Sequence, residues 1–140
     1  MTETIESLFE QGVHRYKTGD PITELIPVFK EVCDRAPKIG AAWTCLAWLY
    51  LLDNKFISAY KTAQKAVTLN PKEPQARINL AIAMLETNRK GLRQHIELAR
   101  QLILVDDELD KEIKQSIEDG LSRKPNWPSL AKVKRWIYEE

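Results

Sequence analysis

The amino-acid sequence predicts an all-α fold made of helical repeats. Five glycines and seven prolines in 140 residues are few for a chain of tight hairpins, and apolar residues recur at helical spacing along most of the chain. The second observation is self-similarity, because Pro37 and Pro71 lie 34 positions apart and each closes a similar two-helix segment. A chain of this length buries one substantial core, so we expect a single domain over residues 1–140.

Composition limits what the chain as a whole can bind. Lysine and arginine number 21 against 20 acidic residues, and the net charge of +1 gives no general attraction to nucleic acid or anionic lipid. The N-terminus is acidic and polar, and the longest apolar stretch, residues 41–52, is shorter than the roughly 20 residues of a membrane span. Cys33 and Cys45 lie in apolar helical patterns, which favours free thiols in a reducing compartment. We therefore expect a cytoplasmic protein.

The first predicted helix pair covers residues 5–39. It needs one extra residue, placed at residues 20–23, to match the second pair. With Thr23 as the N-cap of its second helix, Pro27 falls in the first turn, where a missing amide removes no intrahelical hydrogen bond.

The second predicted pair covers residues 40–73 and carries the clearest motif. Its large and small apolar positions and its closing proline are Trp43, Leu46, Ala47, Tyr50, Ala59, Ala66 and Pro71. This pattern resembles the tetratricopeptide repeat (TPR), which runs Trp-x2-Leu-Gly-x2-Tyr, then Ala-x3-Phe, then Pro. It departs from the TPR pattern at Ala47, where glycine is usual, and at Ala63, where an aromatic residue is usual. The resemblance implies a solenoid of stacked helix pairs.

A third pair, residues 74–107, and C-terminal helices over residues 108–140 are predicted next. The third pair keeps Leu80 and Ala81 of the pattern but has no closing proline. We expect a seventh helix, which Gly120 helps to end, with an apolar face formed by Leu109, Ile113, Ile117 and Leu121. A short eighth helix follows, with an apolar face formed by Leu130, Val133, Trp136 and Ile137. We expect them to cap the open face of the last repeat.

The sequence contains no pattern typical of an enzyme or a cofactor site. His14 and His95 fit no zinc-ligand spacing, and the glycines are scattered without a phosphate-binding turn. Acidic pairs lie at predicted helix ends, where carboxylates act as caps. We expect a non-catalytic protein without a metal or cofactor.

A second apolar stripe remains once the core positions are assigned. It begins with three positions of the third helix, Thr44, Trp48 and Leu51. Adding 34 to their numbers gives the matching positions of the fifth helix. Subtracting 35 gives those of the first helix, in the register that places Gly12 at the small-residue position. The stripe consists of Phe9, Val13, Tyr16, Thr44, Trp48, Leu51, Ile78, Ile82 and Leu85. In TPR proteins such helices line a concave groove that holds a partner peptide. The resemblance therefore implies an adaptor or assembly factor that binds an apolar or amphipathic helical segment of another protein.

Two alternatives for this stripe stay open. The protein's own eighth helix can fill the groove, or the stripe can pack only against neighbouring helices. With a strict 34-residue offset, the first-repeat residues of the stripe enter the core, and the groove is faced instead by Glu10, His14 and Lys17.

The resemblance also argues against one class of partner. TPR domains that clamp the acidic tails of chaperones use Lys, Arg and Asn at positions that correspond here to Phe9, Val13, Cys45, Gln75 and Asn79. No cation stands there to pair with a carboxylate, so acidic chaperone tails are not expected partners.

One local excess of positive charge lies near the C-terminus. Its members are Arg123, Lys124, Lys132, Lys134 and Arg135, and Trp127, Trp136 and Tyr138 are interleaved with them. A basic helix with aromatic residues can lie on an anionic membrane or meet RNA, which is the alternative function. So few charges would give only weak, salt-sensitive binding.

Overall fold

The computed structural model describes residues 4–139, which form eight α-helices. In chain order these are α1 (Ile5–Lys17), α2 (Ile22–Arg35), α3 (Gly40–Leu52), α4 (Phe56–Leu69), α5 (Pro74–Glu86), α6 (Arg93–Leu104), α7 (Asp107–Arg123) and α8 (Pro128–Tyr138). Helices α1 to α6 form three successive antiparallel pairs, and α7 and α8 pack against α5 and α6. The predicted all-α class, with three helix pairs and two C-terminal helices, is confirmed.

Several helix ends follow from the side chains beside them. At α1 the Thr4 hydroxyl accepts a hydrogen bond from the Ser7 amide at 3.0 Å, and at α7 the Asp106 carboxylate accepts from the amides of the first turn. Pro74 opens α5, where a missing amide has no helical partner to lose. Gly19 has a φ of +89° in the turn between α1 and α2, a conformation that favours glycine.

The first helix pair differs from its prediction at Pro27. Helix α2 begins at Ile22 instead of following Thr23, so Pro27 lies inside the helix and not in its first turn. Because Pro27 is exposed, water can bond the carbonyl that its missing amide leaves without a helical donor.

Helices α3 and α5 lie at the centre of the fold. Helix α3 contains no charged residue, and seven of its residues and nine of α5 are buried. One apolar cluster joins these two helices to the C-terminal extension, and it includes Trp48, Ile78, Ile82, Ile113, Ile117, Leu130 and Val133. The C-terminal helices therefore share the core of the repeats, because their apolar faces are covered by the inner helices of the second and third pairs.

Gly120 allows α7 to pack closely against the Trp48 ring of α3 and against Leu130 of α8. The expectation that it helps end the helix is wrong, because α7 continues to Arg123 and Gly120 is buried within it. A Cβ atom at this position would lie 2.7 Å from Leu130 Cδ2 and 2.8 Å from two ring atoms of Trp48. The rigid indole cannot easily move away from such an atom, so the position requires glycine.

The Gly120→Ala variant is expected to lose about 1–3 kcal/mol of unfolding free energy, as overpacked sites do, although alanine is the better helix former. Denaturant titration measures the loss. The matched control is Ser122→Ala on the exposed side of the same helix, where the change stays within about 0.5 kcal/mol. A Gly120→Ala variant as stable as the parent would show that α7 does not lie against Trp48.

Candidate functional site

The residues predicted to line the groove divide between the core and an open cleft. Leu51, Ile78 and Ile82 are completely buried, and Trp48 keeps only 7% of its surface exposed. They share their apolar cluster with residues of α7 and α8. The chain's own C-terminal helices α7 and α8 therefore fill the expected groove where Leu51, Ile78 and Ile82 lie.

Two further predicted groove residues, Phe9 and Leu85, also lie outside the cleft. Phe9 is half-buried and packs edge-on against Phe29, with ring centroids 5.8 Å apart. Leu85 is half-buried near the end of α5.

Val13, Tyr16, Thr44 and Trp48 come together in an open cleft of about 420 Å³. Phe29, Cys45 and Leu49 complete its apolar floor. The facing wall is α7, whose polar residues Glu112, Gln115, Ser116, Asp119 and Arg123 line the cleft, with Lys17 and Gln75 also at its edge. The cleft therefore has apolar residues from the repeats on one side and polar residues from the C-terminal extension on the other.

The first-pair register follows from Gly12. A Cβ atom there would lie 2.9 Å from two ring atoms of Phe29, so α1 approaches α2 through a residue without a side chain. This orientation turns Val13 and Tyr16 toward the cleft.

One end of the cleft is closed by a group of four side chains that we call the Tyr16 clasp: Tyr16, Trp48, Asp119 and Arg123. The Tyr16 hydroxyl donates to the Asp119 carboxylate and accepts from Trp48 Nε1 at 2.8 Å. The guanidinium carbon of Arg123 lies 3.9 Å from the centre of the Tyr16 ring, and its Nη2 donates to the Tyr16 carbonyl at 2.8 Å. Burial, followed by the hydrogen bond to Asp119, raises the pKa of Tyr16 far above its usual value, so the hydroxyl stays a neutral donor.

The other end of the cleft carries one carboxylate, Glu112, and Glu73 lies nearby outside the lining. Burial raises the pKa of Glu73 at the start of α5, and the negative charge of nearby Glu112 raises it further, while the hydrogen bond from the Gln75 amide opposes both.

Burial also raises the pKa of the Cys45 thiol to about 12, so this thiol is protonated at neutral pH and is a poor nucleophile.

The positions compared with the chaperone-tail clamp hold no cation. Val13, Cys45 and Gln75 line the cleft. Asn79 is buried, and both ends of its side-chain amide are hydrogen-bonded within the protein. It donates to the Thr44 carbonyl at 3.0 Å and accepts from Gln75 at 2.8 Å. The two cations at the cleft come from elsewhere, as Lys17 and Arg123, and Arg123 is paired with Asp119.

The structure divides the predicted basic patch. Arg123 belongs to the Tyr16 clasp, and Lys124 Nζ donates to the Leu51 carbonyl at 3.2 Å and to Asn54 Oδ1 at 2.6 Å. Both therefore tie the C-terminal extension to the repeats. The other three basic residues are exposed on α8, and they are Lys132, Lys134 and Arg135.

The aromatic residues of that patch pack inward. Trp127 is buried, and its ring centroid lies 5.6 Å from that of Trp48. The Tyr138 hydroxyl donates a hydrogen bond to the Asp110 carboxylate at 2.8 Å. Trp136 is half-buried. The alternation of basic and aromatic residues in the sequence therefore does not produce a mixed surface.

Residues 4–139 contain no group of three or more His, Cys, Asp or Glu side chains placed to hold a metal ion. Within the same range, no helix combines the length and the apolar character needed to cross a membrane.

Sequence reasoning missed the α7 wall of the cleft. Its members follow one another at steps of three or four residues, which places them on one face of a helix. They are Glu112, Gln115, Ser116, Asp119 and Arg123, and their spacing is visible in the sequence. A polar face opposite an apolar one is also what contact with solvent alone produces, so the pattern does not distinguish the two.

No protein-family model and no curated protein matches the sequence. Solved structures do resemble it in fold. The type III secretion translocator chaperone SycD of Yersinia enterocolitica is 19% identical with a TM-score of 0.69, over 87% of this chain and 92% of that one. The first TPR of Spaghetti (RPAP3), bound to the HSP90 peptide SRMEEVD, is 21% identical with a TM-score of 0.57, over 94% and 89%. The MamA MSR-1 C2 structure is 20% identical with a TM-score of 0.63, over 96% and 77%. The chain therefore has a TPR-like fold of stacked helical repeats.

Proposed function

We propose that the protein is a non-catalytic adaptor or assembly factor that binds a segment of another protein in the cleft between the first two repeats and α7. The observation that carries this proposal is the open cleft itself, of about 420 Å³, which has an apolar floor and a polar rim. Such a concave site suits an apolar anchor that polar groups orient. Two proteins of similar fold, a translocator chaperone and a peptide-bound TPR, support a protein partner.

The dimensions of the cleft favour an amphipathic helical segment. From Glu112 to Arg123 the α7 wall covers twelve residues, and the eleven steps between them give about 16 Å at 1.5 Å per residue, or three helical turns. A helix of that length can place apolar side chains on the floor and polar ones along α7. Its residue opposite Glu112 should not be acidic, since a carboxylate already lines the cleft there.

The Val13→Glu variant is expected to weaken partner binding at least about tenfold while its thermal midpoint stays within a few degrees, because Val13 is half-buried at the cleft, on the edge of the first-pair apolar cluster. The matched control is His14→Glu, which adds the same charge at the next, exposed position. This control should bind like the parent.

A photo-crosslinking amino acid at Gln115 on the cleft rim identifies the partner in cells. The same group at Gln64, exposed on α4, is the control for unspecific capture. Fluorescence titration with the synthetic crosslinked segment then compares the Val13 and His14 variants. Equal crosslinking at both positions, or unchanged affinity of Val13→Glu, contradicts binding in the cleft.

A further inference from the structure

The charged residues that line the cleft differ in whether they are already paired. Asp119 and Arg123 bind each other in the Tyr16 clasp, where Arg123 Nε lies 3.0 Å from the Asp119 carboxylate. Lys17 and Glu112 also line the cleft and are exposed, and within residues 4–139 neither of them forms an ion pair. These two charges are therefore available to a bound segment.

Lys17 and Glu112 lie at opposite ends of the cleft. Lys17 follows Tyr16 as the last residue of α1, and Arg123 of α7 donates to the Tyr16 carbonyl. Glu112 lies at the other end of the α7 wall, near Glu73 at the start of α5. The cleft is therefore basic at the clasp end and acidic about 16 Å away along α7.

The helices around the cleft end at its basic end. Tyr16, near the end of α1, accepts a hydrogen bond from Trp48, and Lys124, just after α7, donates to the Leu51 carbonyl near the end of α3. The C-termini of α1, α3 and α7 are therefore close together at the clasp end, and the negative ends of their dipoles lie there. A helix that runs in the opposite direction brings its own positive N-terminus to this end.

We propose that the segment bound in the cleft is an amphipathic helix antiparallel to α7, with acidic residues in its first turn opposite Lys17 and basic residues in its last turn opposite Glu112. The proposal rests on the proposed function, because it specifies the partner of the same cleft. Its charges pair with both ends of the cleft, and its apolar side chains cover the floor.

The dipole of the bound helix selects this direction over the reverse. Acidic residues stabilise a helix near its N-terminus, and basic residues stabilise it near its C-terminus. An antiparallel helix meets this requirement with the same residues that pair with Lys17 and Glu112. A parallel helix would need basic residues in its first turn and acidic ones in its last, and both would oppose its own dipole.

A synthetic helical peptide of about 14 residues, long enough to span the cleft, tests the proposal. It carries glutamates in the first turn, lysines in the last turn and leucines at helical spacing between them, with acetylated and amidated ends. A hydrocarbon link on its outward face keeps it helical. Fluorescence anisotropy is expected to give a Kd of about 1–100 µM with the full chain.

Charge reversal in the protein tests the two pairings. Lys17→Glu and Glu112→Lys are each expected to weaken binding of the peptide at least about threefold, because each turns an attraction at the rim into a repulsion. The matched controls are Lys61→Glu, exposed on α4, and Glu118→Lys, exposed on α7 outside the cleft lining. Both controls should bind like the parent, and circular dichroism verifies that every variant is folded.

A nitroxide label on the peptide reports its direction. Attached at the N-terminus, it should broaden the amide signal of Thr18, next to Lys17, and attached at the C-terminus it should broaden that of Lys111, next to Glu112. A peptide that does not bind, charge variants that bind like the parent, or the opposite pattern of broadening overturns the proposal.

The crosslinking experiment at Gln115 separates this proposal from the proposed function. A partner segment captured there without the acidic first turn and basic last turn overturns the charge order and leaves the cleft as a binding site. Equal crosslinking at Gln115 and at Gln64 contradicts both.

Discussion

Replacing Trp48 with alanine is expected to lower the free energy of unfolding by about 3–5 kcal/mol, the range for a large aromatic residue in a core. The indole is nearly buried, lies against Gly120 and Trp127, and donates its Nε1 hydrogen to Tyr16. Its removal leaves a cavity between the repeats and α7 and deprives the Tyr16 clasp of one hydrogen bond. Denaturant titration gives the loss, and amide exchange over residues 107–138 should accelerate.

Trp43→Ala is the matched control, on the same helix. Trp43 is half-buried and donates to the Pro37 carbonyl at 2.9 Å, in the turn before α3. This variant should lose less stability and leave amide exchange in α7 and α8 unchanged. Similar exchange in the two variants would mean that Trp48 does not hold the C-terminal helices.

The second large effect is expected for Ile82→Glu, which should unfold the protein or displace the C-terminal helices. Ile82 is completely buried in the cluster that contains Leu130 and Val133 of α8. A carboxyl group without a hydrogen-bond partner there lowers the free energy of unfolding by several kcal/mol, even when it is protonated. Thermal unfolding followed by circular dichroism measures the change in midpoint.

Leu85→Glu provides the comparison, one turn further along α5 at a half-buried position. Its midpoint should fall by much less. If Ile82→Glu instead kept the midpoint of the parent, α8 would not cover α5 in solution and the groove over the third repeat would be open.

The repeat spacing predicted the helix pairs because each pair buries the same positions. The sequence left open what covers Trp48, Ile78 and Ile82, with the eighth helix as one alternative, since an apolar side chain has the same chemistry whether its neighbour is an internal helix or a partner. The covering residues, Ile113 and Ile117 among them, were visible as an apolar stripe. They were expected to cap only the last repeat, and nothing in their spacing reveals that α7 reaches back to α3.

The cleft was half predictable for a related reason. Val13, Tyr16 and Thr44 follow from the register that places Gly12 in the small-residue position, whereas Phe9 of the same register packs against Phe29 and Lys17 of the 34-residue register lines the cleft. The α7 wall depends on where a helix outside the repeats docks. That position is determined by shape, above all by the missing side chain at Gly120.

The Tyr16 clasp also has a consequence for cooperativity. A linear repeat array makes contacts only between neighbouring units, so its terminal units can unfold before the rest. Here the hydrogen bond between Tyr16 and Asp119 spans 103 residues, and the one from Lys124 to Leu51 spans 73. The first helix pair cannot open without losing its contacts to α7, so the two ends of the chain stabilise each other. These contacts also require distant segments to meet, and folding is therefore expected to be slower than in an array built from local contacts alone.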